Sequence, residues 1–367
     1  MKKIKILYLI PALGSGGTEK HLYQLVKYLN KDRFEIFVIC LSDYHNSYVY
    51  HKSLEEIGVQ VHYFSMSHKV NIFRIIRLIN KNNINIVHSL SYSAIIHDMV
   101  FYLFSCAEKF ITVRRNMQHH RGISKKLKWF EVIRNYFTNL ILANSYEAKK
   151  HTCLLEGINE KKIQVIYNGI EVQTNYNNET INNLEKKINY KEGDFVISNI
   201  ANIKTVKRQE DLIKLISLLK TENLKYKLIL IGREDNGYGE IIRNLISELK
   251  VERQVYILPY IENVENILAV STVMIMPSSA EGFSNAILEA YKCNTPVIAT
   301  NIGGNKEIVD DKLLYDVGDV AGLRKIVLNL DSVKFKDEKV NIHNKIKKFN
   351  LDKMIKEYEN IYEKFAQ

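Results

Sequence analysis

Short runs of β-branched and other apolar residues alternate with amphipathic helical segments along most of the chain. In the first half, the predicted strands include 4–10, 34–41 and 84–88, and the predicted helices include 21–29 and 72–79. Strands of four to eight apolar residues separated by helices of ten to fifteen residues are typical of βαβ units, whose parallel sheet is buried on both faces. The pattern therefore predicts an α/β protein with parallel sheets.

The alternation stops at residues 171–191 and then begins again. This segment is rich in asparagine and has almost no apolar periodicity, so we interpret it as a linker followed by a poorly packed helix. A second series of strands and helices runs from 195–200 to a short strand near Leu314, and an amphipathic helix follows at 353–365.

The two series predict two Rossmann-like domains. At roughly 150 residues per domain, a length of 367 residues agrees with this number. We predict an N-terminal domain at 1–172 and a C-terminal domain at 173–349. Two such domains with their sheets facing a central cleft would bind a ligand at the carboxyl ends of the strands.

The composition excludes several other classes of protein. The four cysteines lie far apart without a C-x-x-C pair, which argues against zinc fingers and a disulfide framework and favours a reducing cytosol. The longest mainly apolar stretch, 94–107, contains His97 and Asp98 and is too short to span a membrane. The apolar run 4–10 ends at Pro11 without a cleavage site, so we expect a buried strand rather than a signal peptide.

The charge of the chain predicts an anionic partner. Lysine and arginine number 52 against 41 aspartate and glutamate, a formal net charge of +11, and residues 109–150 alone hold ten basic and two acidic residues, a difference of +8. Basic residues mixed with aromatic ones such as Trp129 and Phe130 fit an anionic membrane surface, and a soluble anionic acceptor is the alternative. The sequence has no RNP-like strand or recognition helix, so we expect no nucleic-acid partner.

A glycine-rich turn follows the first predicted strand. Residues 13–19 read LGSGGTE, and backbone N–H groups in such a turn can approach a phosphate. A dinucleotide-binding G-x-G-x-x-G motif would need glycine or alanine where Glu19 stands. Asp43, after the second strand, could still bind a ribose. An NAD-dependent oxidoreductase that uses the turn from Gly14 to Gly17 and Asp43 is therefore the alternative function.

A basic loop follows the first strand of the second series. Residues 200–208 read IANIKTVKR, and they place Lys204, Lys207 and Arg208 within five residues at the carboxyl end of a strand. Such a cluster suits a diphosphate, whose charge needs compensation in a dry cleft. The alternative is a basic surface loop.

The most specific motif is EGFSNAILE at residues 281–289. Glu281 would lie in a loop, Gly282 to Ser284 would present backbone N–H groups at the start of a helix, and Glu289 would lie about two turns further on. Two carboxylates so spaced can accept hydrogen bonds from two hydroxyl-rich parts of one ligand, while the amides hold its phosphates. The alternative is a surface helix with two unrelated glutamates.

This motif resembles the retaining GT-B glycosyltransferases of family 4. PVIAT at 296–300 and IGG-x-x-E at 302–307 continue the resemblance, NGIE at 168–171 looks like the interdomain junction of the family, and LIG at 230–232 looks like the start of its nucleotide-side turn. The resemblance covers nearly the whole chain. It implies the GT-B architecture of two Rossmann-like domains, with the C-terminal helix 350–367 returning to the first.

The resemblance also implies roles for individual residues. Glu281 would bind hydroxyls of the donor sugar, Glu289 the ribose of the nucleotide and Lys207 the donor diphosphate. The usual arginine of the family is replaced by Asn202, so Lys204 would supply the second cation. The other implied donor contacts are Gly16, Gly17, Gly232, Gly282, Phe283 and Ser284. The first-domain histidine of the family would fall near Arg114, and the candidates for its contact with sugar or acceptor are His88, Arg114, Arg115 and Asn116.

We therefore expect a retaining glycosyltransferase that moves a sugar from a UDP-sugar to a hydroxyl of a glycan or lipid-linked acceptor in bacterial surface polysaccharide synthesis. No D-x-D pair is present, and Lys204 and Lys207 would compensate the charge of the diphosphate, so no metal or other cofactor is expected. The expected location is the cytoplasm, peripherally on the inner face of the membrane.

Overall fold

A computed structural model describes residues 2–14, 16–44, 49–65, 70–90, 95–115, 125–220, 225–235, 237–261, 263–331 and 335–366. The chain divides into two compact units, Met1–Gly169 with Leu351–Gln367 and Ile170–Asn350. The sequence prediction placed the borders after residues 172 and 349. Each unit is built on one parallel sheet, so the predicted α/β class is confirmed.

The first unit contains a seven-stranded sheet. Its strands are β1 (Ile4–Ile10), β2 (Phe34–Cys40), β3 (Val61–Tyr63), β4 (Ile86–Ser89), β5 (Lys109–Arg114), β6 (Leu140–Ala143) and β7 (Ile163–Val165). They lie in the order β3-β2-β1-β4-β5-β6-β7, and all neighbours are parallel. The run 4–10 is therefore an inner strand of this sheet.

Helices cover both faces of the first sheet. They are α1 (Gly17–Tyr28), α2 (Val49–Glu56), α3 (Val70–Asn82), α4 (Ile95–Phe104), α5 (Lys125–Phe137) and α6 (Tyr146–Glu156). Successive side chains of a strand point to opposite faces, and β1 follows this rule. Tyr8 packs in the same core as Leu22 of α1, whereas Leu7 packs in the same core as Ile75 of α3.

The second unit contains a six-stranded sheet. Its strands are β8 (Phe195–Ile200), β9 (Tyr226–Ile231), β10 (Val255–Leu258), β11 (Val273–Met276), β12 (Val297–Thr300) and β13 (Leu314–Tyr315), in the order β10-β9-β8-β11-β12-β13. Its helices are α7 (Asn178–Lys187), α8 (Gln209–Lys220), α9 (Tyr238–Glu248), α10 (Glu265–Val270), α11 (Asn285–Lys292), α12 (Asn305–Ile308), α13 (Val320–Asp331) and α14 (Phe335–Lys348).

Helix α7 packs on the second unit through few residues. The side chain of Asn177 caps it by accepting a hydrogen bond from the backbone N–H of Thr180 at 2.9 Å. Leu184 and Ile188, one helical turn apart, are buried in the same core as Val196 of β8. All other residues of α7 are exposed or partly exposed, as expected for a poorly packed helix.

The last helix, α15 (Leu351–Ala366), packs in the first unit. Its apolar stripe includes Met354, Tyr358 and Tyr362, which are spaced four residues apart and share a core with β1. The return of this helix to the first domain is thus confirmed. No helix in the described part of the chain combines the length and the apolar character that crossing a bilayer requires.

Candidate active site

An ion pair lies at the carboxyl edge of the second sheet. Lys207 belongs to a short 3₁₀ helix, Thr205–Lys207, that follows β8, and Glu281 lies in the loop between β11 and α11. The Nζ of Lys207 donates a hydrogen bond to Oε1 of Glu281. The two side chains are 21% and 12% exposed, so the pair is largely desolvated but can still be reached by a ligand.

Buried hydroxyl groups hold Glu281 in place. The Oγ of Ser278, which is fully buried, donates to Oε1 of Glu281 at 2.8 Å. The carbonyl oxygen of Ser278 accepts from Oγ1 of Thr300 at 2.7 Å. The backbone N–H of Ser279 donates to the carbonyl oxygen of Val206 at 2.8 Å. The loop that carries Glu281 is therefore tied both to β12 and to the turn that carries Lys207.

The segment after Glu281 is also held in place, by a backbone hydrogen bond and by ring packing. Gly282, Phe283 and Ser284 are buried, and Ser284 is the residue that precedes the first turn of α11. The carbonyl oxygen of Gly282 accepts from the backbone N–H of Gly304 at 3.0 Å. A Cβ atom on Gly304 would lie 2.2 Å from that oxygen, so position 304 requires glycine. The ring of Phe283 packs edge-on against Phe349 at 5.5 Å.

Glu289 lies in the second turn of α11, as predicted from its spacing to Glu281. Its neighbours Leu288 and Ala290 are buried in the core, whereas Glu289 is partly exposed. The structure therefore provides one carboxylate in the loop before the helix and a second, solvent-accessible one on the helix itself.

Asn202 and Gly232 connect two neighbouring strand ends. The Oδ1 of Asn202 accepts from the backbone N–H of Arg233 at 3.3 Å, and its carbonyl oxygen accepts from Nε2 of Gln209 at 3.1 Å. A Cβ atom on Gly232 would lie 2.2 Å from the carbonyl oxygen of Ala201. These residues let the loops after β8 and β9 approach closely, and their predicted contact with the donor stays a prediction.

Lys204 is the second cation of this edge. It precedes the 3₁₀ helix that carries Lys207, and its carbonyl oxygen accepts from the backbone N–H of Lys207 at 2.7 Å. Its Nζ lies 3.9 Å from Oδ2 of Asp235, and the two side chains are 39% and 64% exposed. An ion pair this exposed holds its lysine weakly, so Lys204 can turn toward a ligand.

A buried polar network lies beneath the carboxyl edge of the first sheet. The hydroxyl of Tyr362 is 2.9 Å from the hydroxyl of Tyr8 and 2.8 Å from Nδ1 of His88. The hydroxyl of Tyr358 is 3.0 Å from Nε2 of His21. All five side chains are buried. The last helix of the chain therefore holds two histidines of the first unit in fixed orientations.

Arg115 follows β5 and lies beside this network. It is half-buried, and its guanidinium donates to Oδ1 of Asn168 at 2.8 Å. Burial, together with the nearby Arg115, lowers the pKa of His88 to about 3, and burial and the same arginine lower the pKa of His21 well below its ordinary value. Both imidazoles are therefore neutral at pH 7.

Arg114, the last residue of β5, has a different environment from Arg115. Its guanidinium is buried and donates to both carboxylate oxygens of Glu156, each at 2.7 Å, and to Oδ1 of Asn135 at 3.0 Å. This bidentate pair occupies Arg114 within the fold, so Arg115 and His88 are the better candidates for a sugar or acceptor contact. Asn116 lies outside the described residues.

The glycine-rich turn leads into α1. Gly16 precedes the helix and Gly17 begins it, and both are exposed. The carboxylate of Glu19 lies against Gly16, since its Oε2 would be 2.5 Å from a Cβ atom there. Burial raises the pKa of Glu19, which is partly offset by backbone N–H groups of Thr18 and Glu19 and by Arg115. The predicted contact of Gly16 and Gly17 with phosphates stays a prediction.

Asp43, the predicted ribose ligand of an oxidoreductase, is exposed in the segment after β2. Within the described residues, no three side chains of His, Cys, Asp or Glu are grouped so that they could hold a metal ion.

Two family models match the chain. The model of the glycosyl transferases group 1 matches residues 180–358, and the model of glycosyltransferase family 4 matches residues 15–174. Both models describe families of glycosyltransferases, and together they cover most of the chain, which is therefore a glycosyltransferase. The first match falls mainly on the second unit, and the second match mainly on the first unit. Glycosyltransferase activity follows from these two matches, and they give no support to the alternative of an NAD-dependent oxidoreductase.

Similar proteins agree with this conclusion. The capsular polysaccharide biosynthesis glycosyltransferase CapH of Staphylococcus aureus is 26% identical over 83% of each chain. The N-acetyl-alpha-D-glucosaminyl L-malate synthase of Bacillus anthracis is 30% identical over 55% of this chain and 54% of that protein. The crystal structure of HepE from Anabaena in complex with UDP shares the fold, with a TM-score of 0.84, 20% identity and coverage of 98% of this chain and 100% of that one. The chain is thus related to glycosyltransferases of bacterial polysaccharide synthesis.

We predict that Arg114→Met lowers the free energy of unfolding by about 3–5 kcal/mol, because the buried Glu156 loses its partner. Burial alone would raise the pKa of Glu156, but the hydrogen bonds and charge of Arg114 outweigh it and hold this pKa below its ordinary value. A lowered carboxyl pKa contributes stability above the unfolded pKa of about 4.3 and loses it as the pH falls through the folded pKa. Urea unfolding should therefore show the full loss at pH 7 and a smaller one in acid.

Arg243→Met is the matched control. Its guanidinium pairs with Glu234 at the surface, where the side chains are 54% and 33% exposed, so this variant should lose less than about 1 kcal/mol. Equal losses for the two variants, or a loss for Arg114→Met that grows in acid, would contradict the assignment of a structural role to Arg114.

Proposed function

We propose that this chain is a retaining glycosyltransferase that uses a nucleotide-diphosphate sugar, with UDP as the nucleotide. The observation that carries the proposal is the ion pair of Lys207 and Glu281 at the carboxyl edge of the second sheet. A lysine there can stabilise the charge of a departing diphosphate, and a carboxylate can accept hydrogen bonds from sugar hydroxyls. The complex of HepE with UDP, a protein of the same fold, supports UDP as the nucleotide.

The ion pair keeps both donor-binding groups desolvated and satisfied before the donor arrives. Lys207 and Glu281 each need a partner in this half-buried position, and each finds it in the other. When the donor binds, its diphosphate replaces Glu281 as the partner of Lys207, and a sugar hydroxyl replaces Lys207 as the partner of Glu281. Ser278 keeps Glu281 oriented during this exchange through its hydrogen bond of 2.8 Å.

The reaction breaks the bond between the anomeric carbon and the diphosphate oxygen. Lys207, with Lys204 one turn away, stabilises the negative charge that develops on the leaving oxygen. The hydroxyl of the acceptor attacks the same face of the sugar, and its proton passes to the leaving diphosphate. Retention of configuration rests on the resemblance to family 4 and on the match of residues 15–174 to that family.

The acceptor is a hydroxyl of a glycan or of a lipid-linked glycan in bacterial surface polysaccharide synthesis. The relative CapH, which is named for capsular polysaccharide biosynthesis, supports this class. The Bacillus anthracis relative is named as the synthase of a compound that contains L-malate, an acid.

Glu289→Ala should weaken UDP binding, whereas Glu281→Ala should lower turnover without weakening UDP binding. Glu289 is assigned to the ribose that UDP retains, and Glu281 to the sugar that UDP lacks. The loss of one charge-assisted hydrogen bond costs about 1.5–3 kcal/mol, and titration calorimetry with UDP measures it. Glu248→Ala, at an exposed position of α9, is the control. Equal losses of affinity in the two variants would contradict the assignment.

We also propose that transfer needs no metal ion, because Lys204 and Lys207 compensate the charge of the diphosphate. Initial rates measured after dialysis against EDTA should equal those with added Mg²⁺ or Mn²⁺. A rate that EDTA abolishes and Mg²⁺ restores would show that the lysines do not suffice.

We propose further that the enzyme binds anionic membranes peripherally through residues 109–150, in the cytoplasm on the inner face of the membrane. Among the side chains of α5 that the structure describes, three exposed ones are apolar or aromatic: Val132 at 61%, Tyr136 at 79% and Phe137 at 40% exposure. Leu103 and Phe104, at the end of the adjacent helix α4, are 57% and 65% exposed. Such side chains enter the lipid interface, while the local charge of +8 attracts acidic headgroups.

The membrane proposal predicts that the enzyme sediments with anionic vesicles at low salt and less so at high salt. Lys125/Lys126/Lys128→Glu and Val132→Ser/Tyr136→Ser should each abolish most of this binding. The control is Leu154→Ser/Leu155→Ser on α6, where the leucines are 75% and 54% exposed but lie outside 109–150. If all variants sediment equally, or if the wild type stays in solution, residues 109–150 do not bind a membrane.

A further inference from the structure

Two consecutive arginines of the first unit have opposite electrostatic environments. Arg114 is paired with both carboxylate oxygens of Glu156. Arg115 has no carboxylate within ion-pair distance among the described residues, and its guanidinium bonds only the neutral amide of Asn168. The difference follows from the strand, because successive residues point to opposite faces. Val113 of β5 packs in the core that α1 and α15 cover, and Arg115 follows it on that face.

Arg115 is half-buried, and this burial lowers its pKa. The groups around it do not supply a direct counter-charge. His21 and His88 are neutral, as shown above. Glu19 acts on Arg115 only at a distance, and its carboxylate is directed to the N-terminus of α1 by the backbone N–H groups of Thr18 and Glu19. A half-buried guanidinium that has no carboxylate partner can bind an oxyanion.

The two histidines whose pKa values Arg115 helps to lower carry buried polar atoms without a partner. Nδ1 of His21 and Nε2 of His88 are buried and have no hydrogen-bond partner within the part of the chain that the structure describes. The opposite nitrogen of each ring is held by a tyrosine of α15. Asn144, whose Nδ2 donates to the carbonyl oxygen of Arg115 at 3.3 Å, also has an unpartnered Oδ1. Buried polar atoms without partners are rare in native proteins, and a ligand would satisfy them.

We propose that Arg115, with the free imidazole nitrogens of His21 and His88, forms a binding site for a phosphate or carboxylate group of the acceptor. The inference rests on the proposed function and makes it more specific, because it names an acidic acceptor. The anion is assigned to the acceptor since the second unit provides Lys204 and Lys207 for the donor diphosphate. The guanidinium binds two oxygens of the anion, and a neutral imidazole donates one N–H to it or to a neighbouring hydroxyl.

The test is titration calorimetry with inorganic phosphate, acetate and glycerol, performed with and without saturating UDP. Phosphate or acetate should bind the wild type in the presence of UDP, and glycerol should not. Arg115→Gln should weaken this binding by roughly tenfold or more, as expected for the loss of a charge-assisted bond. Arg115→Lys keeps the positive charge but loses the planar, two-pronged donor group of arginine. Its affinity for the anions should lie between those of the wild type and Arg115→Gln. Arg74→Gln, at an exposed position of α3, should bind as the wild type does.

The outcomes separate the two proposals. If Arg115→Gln, with an unchanged melting temperature, binds the anions as tightly as the wild type, or if the wild type binds neither anion, the acceptor site is wrong. If Arg115→Gln weakens UDP as much as phosphate, Arg115 serves the donor and the inference is also wrong. If the wild type binds no UDP, the proposed function fails, whereas the loss of anion binding on Arg115→Gln would still establish the anion site. The stronger of phosphate and acetate indicates the acidic group of the acceptor.

Discussion

The parallel direction of all strands in each sheet is the constraint on which the chemistry of this chain depends. Parallel strands end at one edge, so the loops that follow them gather there. Lys207 and Glu281 meet although 74 residues separate them in sequence, because β8 and β11 are neighbours in the second sheet. The same constraint brings Arg115, after β5, to Asn168, after β7, in the first sheet.

Each sheet edge holds its charges in a different way. In the second unit, a cation and a carboxylate neutralise each other and are exchanged for ligand groups when the donor binds. In the first unit, Arg114 is neutralised permanently by Glu156, and Arg115 is left for a ligand. The tyrosines of α15 keep His21 and His88 buried, and both are neutral, so neither imidazole adds a second positive charge beside Arg115. Some of the positive charges of the chain are thus placed at strand ends, where an anionic ligand can bind.

The sequence predicted most strands and the positions of Glu281, Lys207 and Glu289, because apolar runs define strand ends and the motifs lie directly after them. Ser278 and Thr300 could not be predicted, since their hydrogen bonds connect loops and strands far apart in sequence and leave no periodic signal. The opposite environments of Arg114 and Arg115 were within reach of the pattern, because the phase of β5 assigns them to opposite faces. The packing of α15 on the first unit could be predicted only from the family resemblance. Apolar periodicity indicates an amphipathic helix but does not indicate which surface that helix covers.

The most direct test of the account is a crystal structure of the enzyme with an intact, non-hydrolysable UDP-sugar. In this complex, Nζ of Lys207 should leave Glu281 and lie within hydrogen-bond distance of a diphosphate oxygen. Glu281 should bind a hydroxyl of the sugar, and Glu289 should bind the ribose. A diphosphate bound elsewhere, with the ion pair of Lys207 and Glu281 intact, would contradict the account.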